Sequence, residues 1–361
     1  MSPVAEVLTV AAAAGSVWGL RALAHQAMLH GMRAPRVPHD CTPGDLGVPP
    51  EDFSEVSIPG PGGCRLFGWL VWPAGPRARP VPAVMVMHGW GSNAAMMLPV
   101  AGPLREAGFA TLLIDARCHG RSDDEPFTSM PRFAEDIFSA LSWLREQPGI
   151  DPGRLAVLGH SVGAAAALLH ASRHHDVRAV ISLSAFAHPR EIMQRWLSAA
   201  RLPPPVMWYV LRHVEHVIGA SFDEIAPLTT VTKTACPVLL VHGRDDDTVP
   251  FSDAERLRDA APHVRLMPVA GDHDLRETLA PEAPRLIGFL REACRGETRL
   301  GETRLGEARL GETRLGEARL EEARLEETRL EAGREKTSGP AEPLPHPTMV
   351  RPQGTIGASR G

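Results

Sequence analysis

Leu155-Ala-Val-Leu-Gly-His-Ser-Val-Gly-Ala-Ala-Ala-Ala-Leu-Leu169 is an apolar run that ends in Gly159-His160-Ser161-Val162-Gly163 and continues as an alanine-rich segment. The run reads as a buried strand, the Gly-x-Ser-x-Gly core as a very tight turn, and the alanines as a helix. The two glycines leave room for a turn that side chains would block. Such a turn lifts the Ser161 hydroxyl above the sheet edge. It also sets that hydroxyl at a helix N-terminus, where positive potential favours developing negative charge. Small residues are common in this chain, so the five-residue match gains its weight from standing between a strand and a helix.

The same alternation runs outward in both directions. Apolar strands are expected at 83–87, 110–115, 154–159, 177–183, 237–241 and 264–269, and helices at 94–108, 131–146, 162–173, 252–260 and 283–294. Phe133, Ile137, Leu141 and Leu144 fall at helical spacing, and Gly108 suits a helix C-terminus. Continuous apolar strands alternating with helices give an α/β fold, with a mostly parallel central sheet and helices on both faces. Upstream, 53–58 and 65–72 read as short strands around a Gly-rich turn, forming an antiparallel edge. Residues 34–63, rich in Pro and Gly, read as a linker followed by turns. Residues 185–235 break the rhythm with Phe186, Met193, Trp196, Met207, Trp208 and a Pro203-Pro-Pro205 interruption. They suit a helical cap insertion over the C-terminal edge of the sheet, its apolar side chains lining an acyl or aromatic pocket.

A serine nucleophile needs a base, an acid to orient the base, and donors for an oxyanion. After Ser161, the next strand end with acids is Val238-Leu-Leu-Val-His-Gly-Arg-Asp-Asp-Asp-Thr-Val-Pro250, and the one after carries Val269-Ala-Gly-Asp-His273. All would converge on one edge of a parallel sheet. By this reading alone Asp245, Asp246 and Asp247 stay open as the acid.

His88-Gly-Trp-Gly-Ser92, Asp115-x-Arg117-x-His119-Gly120-x-Ser122, Gly159-x-Ser161-x-Gly163, His242-Gly-x-x-Asp246-x-x-Val249-Pro250 and Gly271-Asp-His273 occur in that order. Over residues 50 to 294 the chain thereby resembles the α/β-hydrolase superfamily, among bacterial esterase and serine-aminopeptidase-like serine hydrolases. The resemblance implies a catalytic triad of Ser161 as nucleophile, Asp246 as acid and His273 as base. It implies an oxyanion hole made by the backbone N–H groups of Trp90 and Val162. His-Gly-Trp-Gly departs from the His-Gly-Gly-Gly of many lipases. The expected activity is hydrolysis of a carboxylic ester or related acyl substrate through an acyl-enzyme. Acyl transfer by the same site, or a non-catalytic binding protein on a hydrolase fold, are the alternatives.

Other polar residues are expected to be structural. His88 and His119 hold loops, His160 points off the elbow, and Cys118 lacks a base. His170/His174 and His213/His216 lack a carboxylate or cysteine at ligand spacing and read as surface histidines, so no metal and no cofactor are expected. Asp272 and Asp274 are expected to be exposed.

The 361 residues carry 43% hydrophobic and 22% charged residues and a net charge of -5, which gives no electrostatic case for nucleic acid. The five cysteines are odd in number and contain no CxxC pair, which speaks against a disulfide framework and for a reducing compartment. Val4–Leu20 is apolar apart from Glu6, Thr9, Gly15 and Ser16. It reads as a helix packed on the domain in a cytoplasmic protein, or as a single membrane anchor. Gly296–Leu330 holds seven copies of a five-residue unit, (Gly/Glu)-Glu-(Thr/Ala)-Arg-Leu. Steps of five advance about 140° around a helix, so the leucines make no stripe and no coiled coil is expected. Three segments follow: an apolar helix within 1–35, an α/β-hydrolase domain at 36–294 with the cap at about 185–235, and a repeat and disordered tail at 295–361.

Overall fold

Alternate residues of the central strands enter two separate cores, one on each side of the sheet. In β3 (Val81–Met87), Ala83, Met85 and Met87 face one core while Val84 and Val86 face the other. In β5 (Ile150–His160), Leu155 and Val157 pack with the first, Ala156 and Leu158 with the second. Strands buried on both faces need apolar residues at every position, which is why these runs are unbroken in the sequence. The computed structural model describes Ser16, Trp18, Gly19 and residues 21–75 and 80–295.

The remaining strands are β1 (Phe53–Pro59), β2 (Arg65–Val71), β4 (Ala110–Ile114), β6 (Ala179–Leu183), β7 (Val238–Gly243) and β8 (Val264–Val269). Among the described residues they form one sheet of eight strands in the order β1-β2-β4-β3-β5-β6-β7-β8. β2 pairs antiparallel with β1 and with β4, and all other pairs are parallel. The antiparallel edge is therefore where the turn-rich sequence puts it.

Helix α1 covers residues 21–31. α2 (Ala101–Glu106), α3 (Met130–Arg145), α4 (Val162–His174), α5 (Pro189–Ala199), α6 (Pro204–Ile218), α7 (Phe222–Ile225), α8 (Pro227–Thr230), α9 (Phe251–Ala260) and α10 (Arg276–Arg295) follow. Phe133, Ile137, Leu141 and Leu144 of α3 join the first core; Leu286, Phe289 and Leu290 of α10 join the second. The helix expected at 94–108 is split. A 3₁₀ segment, Ala95–Val100, precedes α2, with Pro99 inside the first piece and Pro103 in the second, and a proline removes the N–H a continuous helix needs. The Pro203-Pro-Pro205 run separates α5 from α6 and opens α6, where a missing N–H costs nothing. Helices α5 to α8 lie between β6 and β7, as the helical insertion expected there.

Residues 33–43 correct the linker reading. Arg36 Nη1 donates to the carbonyls of Gly120 (2.6 Å) and Ser122 (2.9 Å). His39 Nε2 reaches the buried Asp115 carboxylate at 2.9 Å. The segment is strapped across the domain instead of joining two units.

Among the described residues no helix is long and apolar enough to cross a membrane. Most of Val4–Leu20, the pentapeptide repeat and the rest of the tail lie outside the described residues. No disulfide joins the cysteines among the described residues.

Candidate active site

Ser161 sits between β5 and α4 with φ 52° and ψ −116°. A non-glycine residue in this region is strained, and the surroundings hold it there. Its N–H donates to the Leu183 carbonyl (2.8 Å) and its carbonyl accepts from Ala165 N–H (3.0 Å). The flanking glycines are sterically required. A Cβ at Gly159 would lie 2.4 Å from the Gly163 carbonyl oxygen, and one at Gly163 would lie 2.3 Å from that of His88. The result is a hydroxyl raised at the first turn of α4.

The three sequence-expected side chains meet. Ser161 Oγ lies 3.0 Å from His273 Nε2, and His273 Nδ1 lies 2.8 Å from Asp246 Oδ2. The carboxylate requires Nδ1 to carry the proton, which leaves Nε2 as an acceptor for the serine hydroxyl. They converge because the parallel register ends β3, β5, β6, β7 and β8 at one edge: Met87 pairs with Gly159, His160 with Leu183, and Gly243 with Val269.

Of the three adjacent aspartates, Asp246 is buried and Asp245 and Asp247 are exposed. Asp246 Oδ1 accepts the N–H groups of Thr248 (3.0 Å) and Val249 (2.7 Å). Burial pushes its pKa up, but hydrogen bonds from His242 and His273 and from the Val249 amide outweigh burial and hold it well below the usual carboxylate range. It is a fixed anion at any physiological pH. His160 also contributes, since its Nε2 donates to the His273 carbonyl at 2.9 Å, a contact the sequence reading missed. Burial beside His273 lowers the His160 pKa to about 4, so it is neutral.

The loop motifs around this chain are a hydrogen-bonded frame. His88 Nε2 accepts from Ala116 N–H (3.0 Å) while Nδ1 donates to the Gly89 carbonyl (2.7 Å). His119 Nε2 accepts from Gly91 N–H (3.2 Å) while Nδ1 donates to the Arg117 carbonyl (2.9 Å). These tautomers follow from the fixed backbone donors. Asp115 takes the N–H groups of Ala94 (2.8 Å) and Arg121 (2.7 Å), and a Cβ at Gly120 would lie 2.0 Å from its Oδ2. The frame thus fixes the loop that carries Trp90.

Protonating His88 would aim a second N–H at that of Ala116. Burial, helped by His119, lowers its pKa to about 3, whereas an unfolded chain titrates near 6.5. The unfolded state binds more protons below that value, so stability falls as pH drops through 6.5. Taking the pH from 7 to 5 is expected to remove about 2 kcal/mol through His88 alone. Urea midpoints at both pH values measure this, and the slope should flatten in His88→Asn. An unflattened slope would place the proton uptake elsewhere.

A cavity of about 1080 Å³ opens at Ser161 and His273. Trp90 and Val162 line it beside Ser161. Among the described residues, neither of their N–H groups is engaged in the backbone hydrogen bonds of the surrounding turns. The far walls are apolar: Met193, Leu197, Val210 and Ile218 from the helical insertion, and Ala27 and Met28 from α1. The sequence reading gave α1 no part in the site. Its only signal was the small and apolar spacing of Ala24, Ala27, Met28 and Gly31.

Among the described residues no group of three or more His, Cys, Asp or Glu side chains is placed to hold a metal ion. His170 corrects one expectation. It is buried, not at the surface, with Nε2 2.8 Å from Asp176 Oδ1. His213 is half-buried against α1, where its Nε2 lies 2.9 Å from His25 Nδ1, and His216 is exposed. Cys118 is buried, and its Sγ contacts the carbonyls of Glu125 and Phe127. Asp272 and Asp274 are exposed.

The family described as serine aminopeptidase, S33, matches residues 78–220. A Mycobacterium tuberculosis protein of uncharacterised function is 30% identical over 215 residues, which is 59% of this chain and 69% of that protein. A polyketide transferase of Aspergillus fumigatus is 33% identical over 137 residues, 37% of this chain and 46% of the relative. The fold is similar to that of a Pyrococcus furiosus esterase, with TM-score 0.58, 23% identity, and coverage of 73% of this chain and 98% of the esterase. With its sheet order, its family match and a relative sharing most of its own length, the chain belongs to the α/β-hydrolase superfamily of enzymes.

Proposed function

We propose that the protein is a serine hydrolase that cleaves carboxylic esters of an apolar acyl group through an acyl-enzyme. The observation that carries this reading is the unbroken chain Ser161 Oγ–His273–Asp246 at the mouth of an apolar cavity. His273 Nε2 takes the Ser161 proton as Oγ adds to the ester carbonyl. The Asp246 anion holds Nδ1–H and stabilises the imidazolium. The N–H groups of Val162 and Trp90 receive the carbonyl oxygen as it becomes an oxyanion, aided by the N-terminus of α4. The imidazolium returns its proton to the leaving alkoxide. Water, deprotonated by the same Nε2, then frees the acid and restores Ser161.

Helices α5 to α8 act in this reading as a cap that excludes water and holds the acyl group. That no disulfide joins the cysteines among the described residues fits work in a reducing compartment. The test is covalent: a fluorophosphonate should label Ser161 in the folded chain, and p-nitrophenyl esters should be hydrolysed. Folded protein that neither labels nor turns over any ester of the series refutes the reading. Similarity to a polyketide transferase favours a second reading, in which an alcohol or thiol replaces water at the acyl-enzyme. Transfer product formed at the expense of free acid would select it.

A further inference from the structure

At about 1080 Å³ the cavity stands at the top of the range usual for ligand pockets, about 300–1,000 Å³. Its outer wall is also its boundary with solvent. Trp196 of α5 and Val206 and Tyr209 of α6 line the cavity and are at the same time partly exposed. Next to them, Trp208 is 66% exposed and does not line the cavity. On α1, Ala24, Ala27, Met28 and Gly31 form the helical stripe that faces the cavity. Leu23 and Trp18, off that stripe, are 69% and 75% exposed. The two helices are adjacent, since His25 contacts His213 and Tyr209 stacks on His213. Large exposed apolar side chains thus stand on the same helices, α1, α5 and α6, that wall the apolar cavity.

The charge of these two segments is one-sided, while the exposed Asp247, Asp272 and Asp274 that also line the cavity belong to other loops. In a chain of net charge -5, residues 7–39 contain no Asp or Glu but carry Arg21, Arg33 and Arg36. Residues 194–213 contain no Asp or Glu either and carry Arg195, Arg201 and Arg212. Arg21 and Arg201 are exposed, whereas Arg36, Arg195 and Arg212 pair with Asp124, Asp253 and Glu215. Within those two segments, tryptophan and leucine stand beside exposed Arg21 and Arg201 without carboxylates, a composition suited to the boundary of an anionic bilayer. The sequence immediately before Ser16, from Val7 to Gly15, is apolar but for Thr9. A water-soluble partner protein would not need the cavity to open within its own footprint; a lipid whose chain must leave the bilayer would.

We infer that α1 and the α5–α6 corner dock on an anionic lipid surface, and that the substrate is a long-chain acyl ester drawn from that surface into the cavity. The substrate half rests on the serine-hydrolase reading above; the docking half does not. Trp18, Leu23 and Trp208 insert at the interface, and Arg21 and Arg201 meet the headgroups. Released acid and alcohol return to the same surface.

The test uses the full chain and a Trp18→Ser, Leu23→Ser, Trp208→Ser triple variant, none of whose positions lines the cavity. Co-sedimentation is measured with phosphatidylcholine vesicles with and without phosphatidylglycerol. Turnover is measured on soluble p-nitrophenyl butyrate and on 4-methylumbelliferyl oleate carried in the vesicles. Wild type should bind the phosphatidylglycerol vesicles. The triple variant should lose binding and oleate turnover at least tenfold while butyrate turnover stays within twofold. A wild type that stays in solution, or a variant that keeps vesicle binding, overturns the docking. A wild-type dimer dispersed by the triple variant assigns the face to a second copy and also overturns it. If wild type binds vesicles but cleaves neither ester, the hydrolase reading falls with the substrate while the docking stands.

Discussion

Ser161→Ala is expected to lower p-nitrophenyl ester turnover by about 10⁴-fold or more and to abolish fluorophosphonate labelling, with little change in folding. The activity loss follows from geometry: His273 Nε2 is 3.0 Å from Ser161 Oγ, and alanine offers no proton and no nucleophile at that place. What remains would come from binding and from amides that polarise the carbonyl, so a small residual rate is expected and not zero. The stability argument is separate. The strained backbone at φ 52° is imposed by the contacts of Gly159 and Gly163, and alanine inherits the same strain. The lost hydroxyl makes one hydrogen bond, worth about 1 kcal/mol, and the His273 ring keeps its bond to Asp246. Steady-state kinetics at pH 8 with a thermal melt on the same sample decides the matter. Turnover within tenfold of wild type would remove Ser161 from the chemistry.

The sequence made some of this legible and not the rest, for a physical reason. Ser161, His273 and the acidic turn each stand just after an apolar strand, and in a parallel sheet every such position faces one edge. Local pattern therefore suffices to bring them together. The choice of Asp246 over its neighbours is a matter of burial and of two backbone N–H groups, which alternation alone does not reveal. The strap at Arg36 and His39 was unreadable because its partners, Gly120, Ser122 and Asp115, are remote in sequence and the strap has no periodicity. His170 looked like a surface residue on an alanine-rich helix. It is buried because Asp176, just past the end of α4, turns back to meet it. Helix α1 escaped because alanine and glycine carry little hydrophobic signal, yet small residues are what allow a cavity to run alongside a helix.

Asp246→Asn is expected to reduce turnover by about 10⁴-fold at neutral pH while leaving the fold in place, and the reason lies in how the two oxygens are used. Oδ1 accepts two backbone N–H groups, from Thr248 and Val249. An amide NH₂ cannot replace that oxygen without setting donors against donors, so the asparagine carbonyl must stay on the backbone side. Its NH₂ then faces His273 Nδ1, which in the wild type donates to Oδ2. To avoid the clash the imidazole moves its proton to Nε2, and the nitrogen beside Ser161 can no longer accept one. His242 keeps its bond to the Val249 carbonyl at 2.9 Å and helps hold the turn. The loss should therefore appear in kcat, with KM nearly unchanged, and the melt should shift by no more than about 2 kcal/mol, as neutral bonds replace charge-assisted ones. Asp245→Asn and Asp247→Asn, at exposed neighbours, should stay within threefold of wild type. An Asp246→Asn enzyme of near-normal kcat would mean that His160, through the His273 carbonyl, suffices to orient the base.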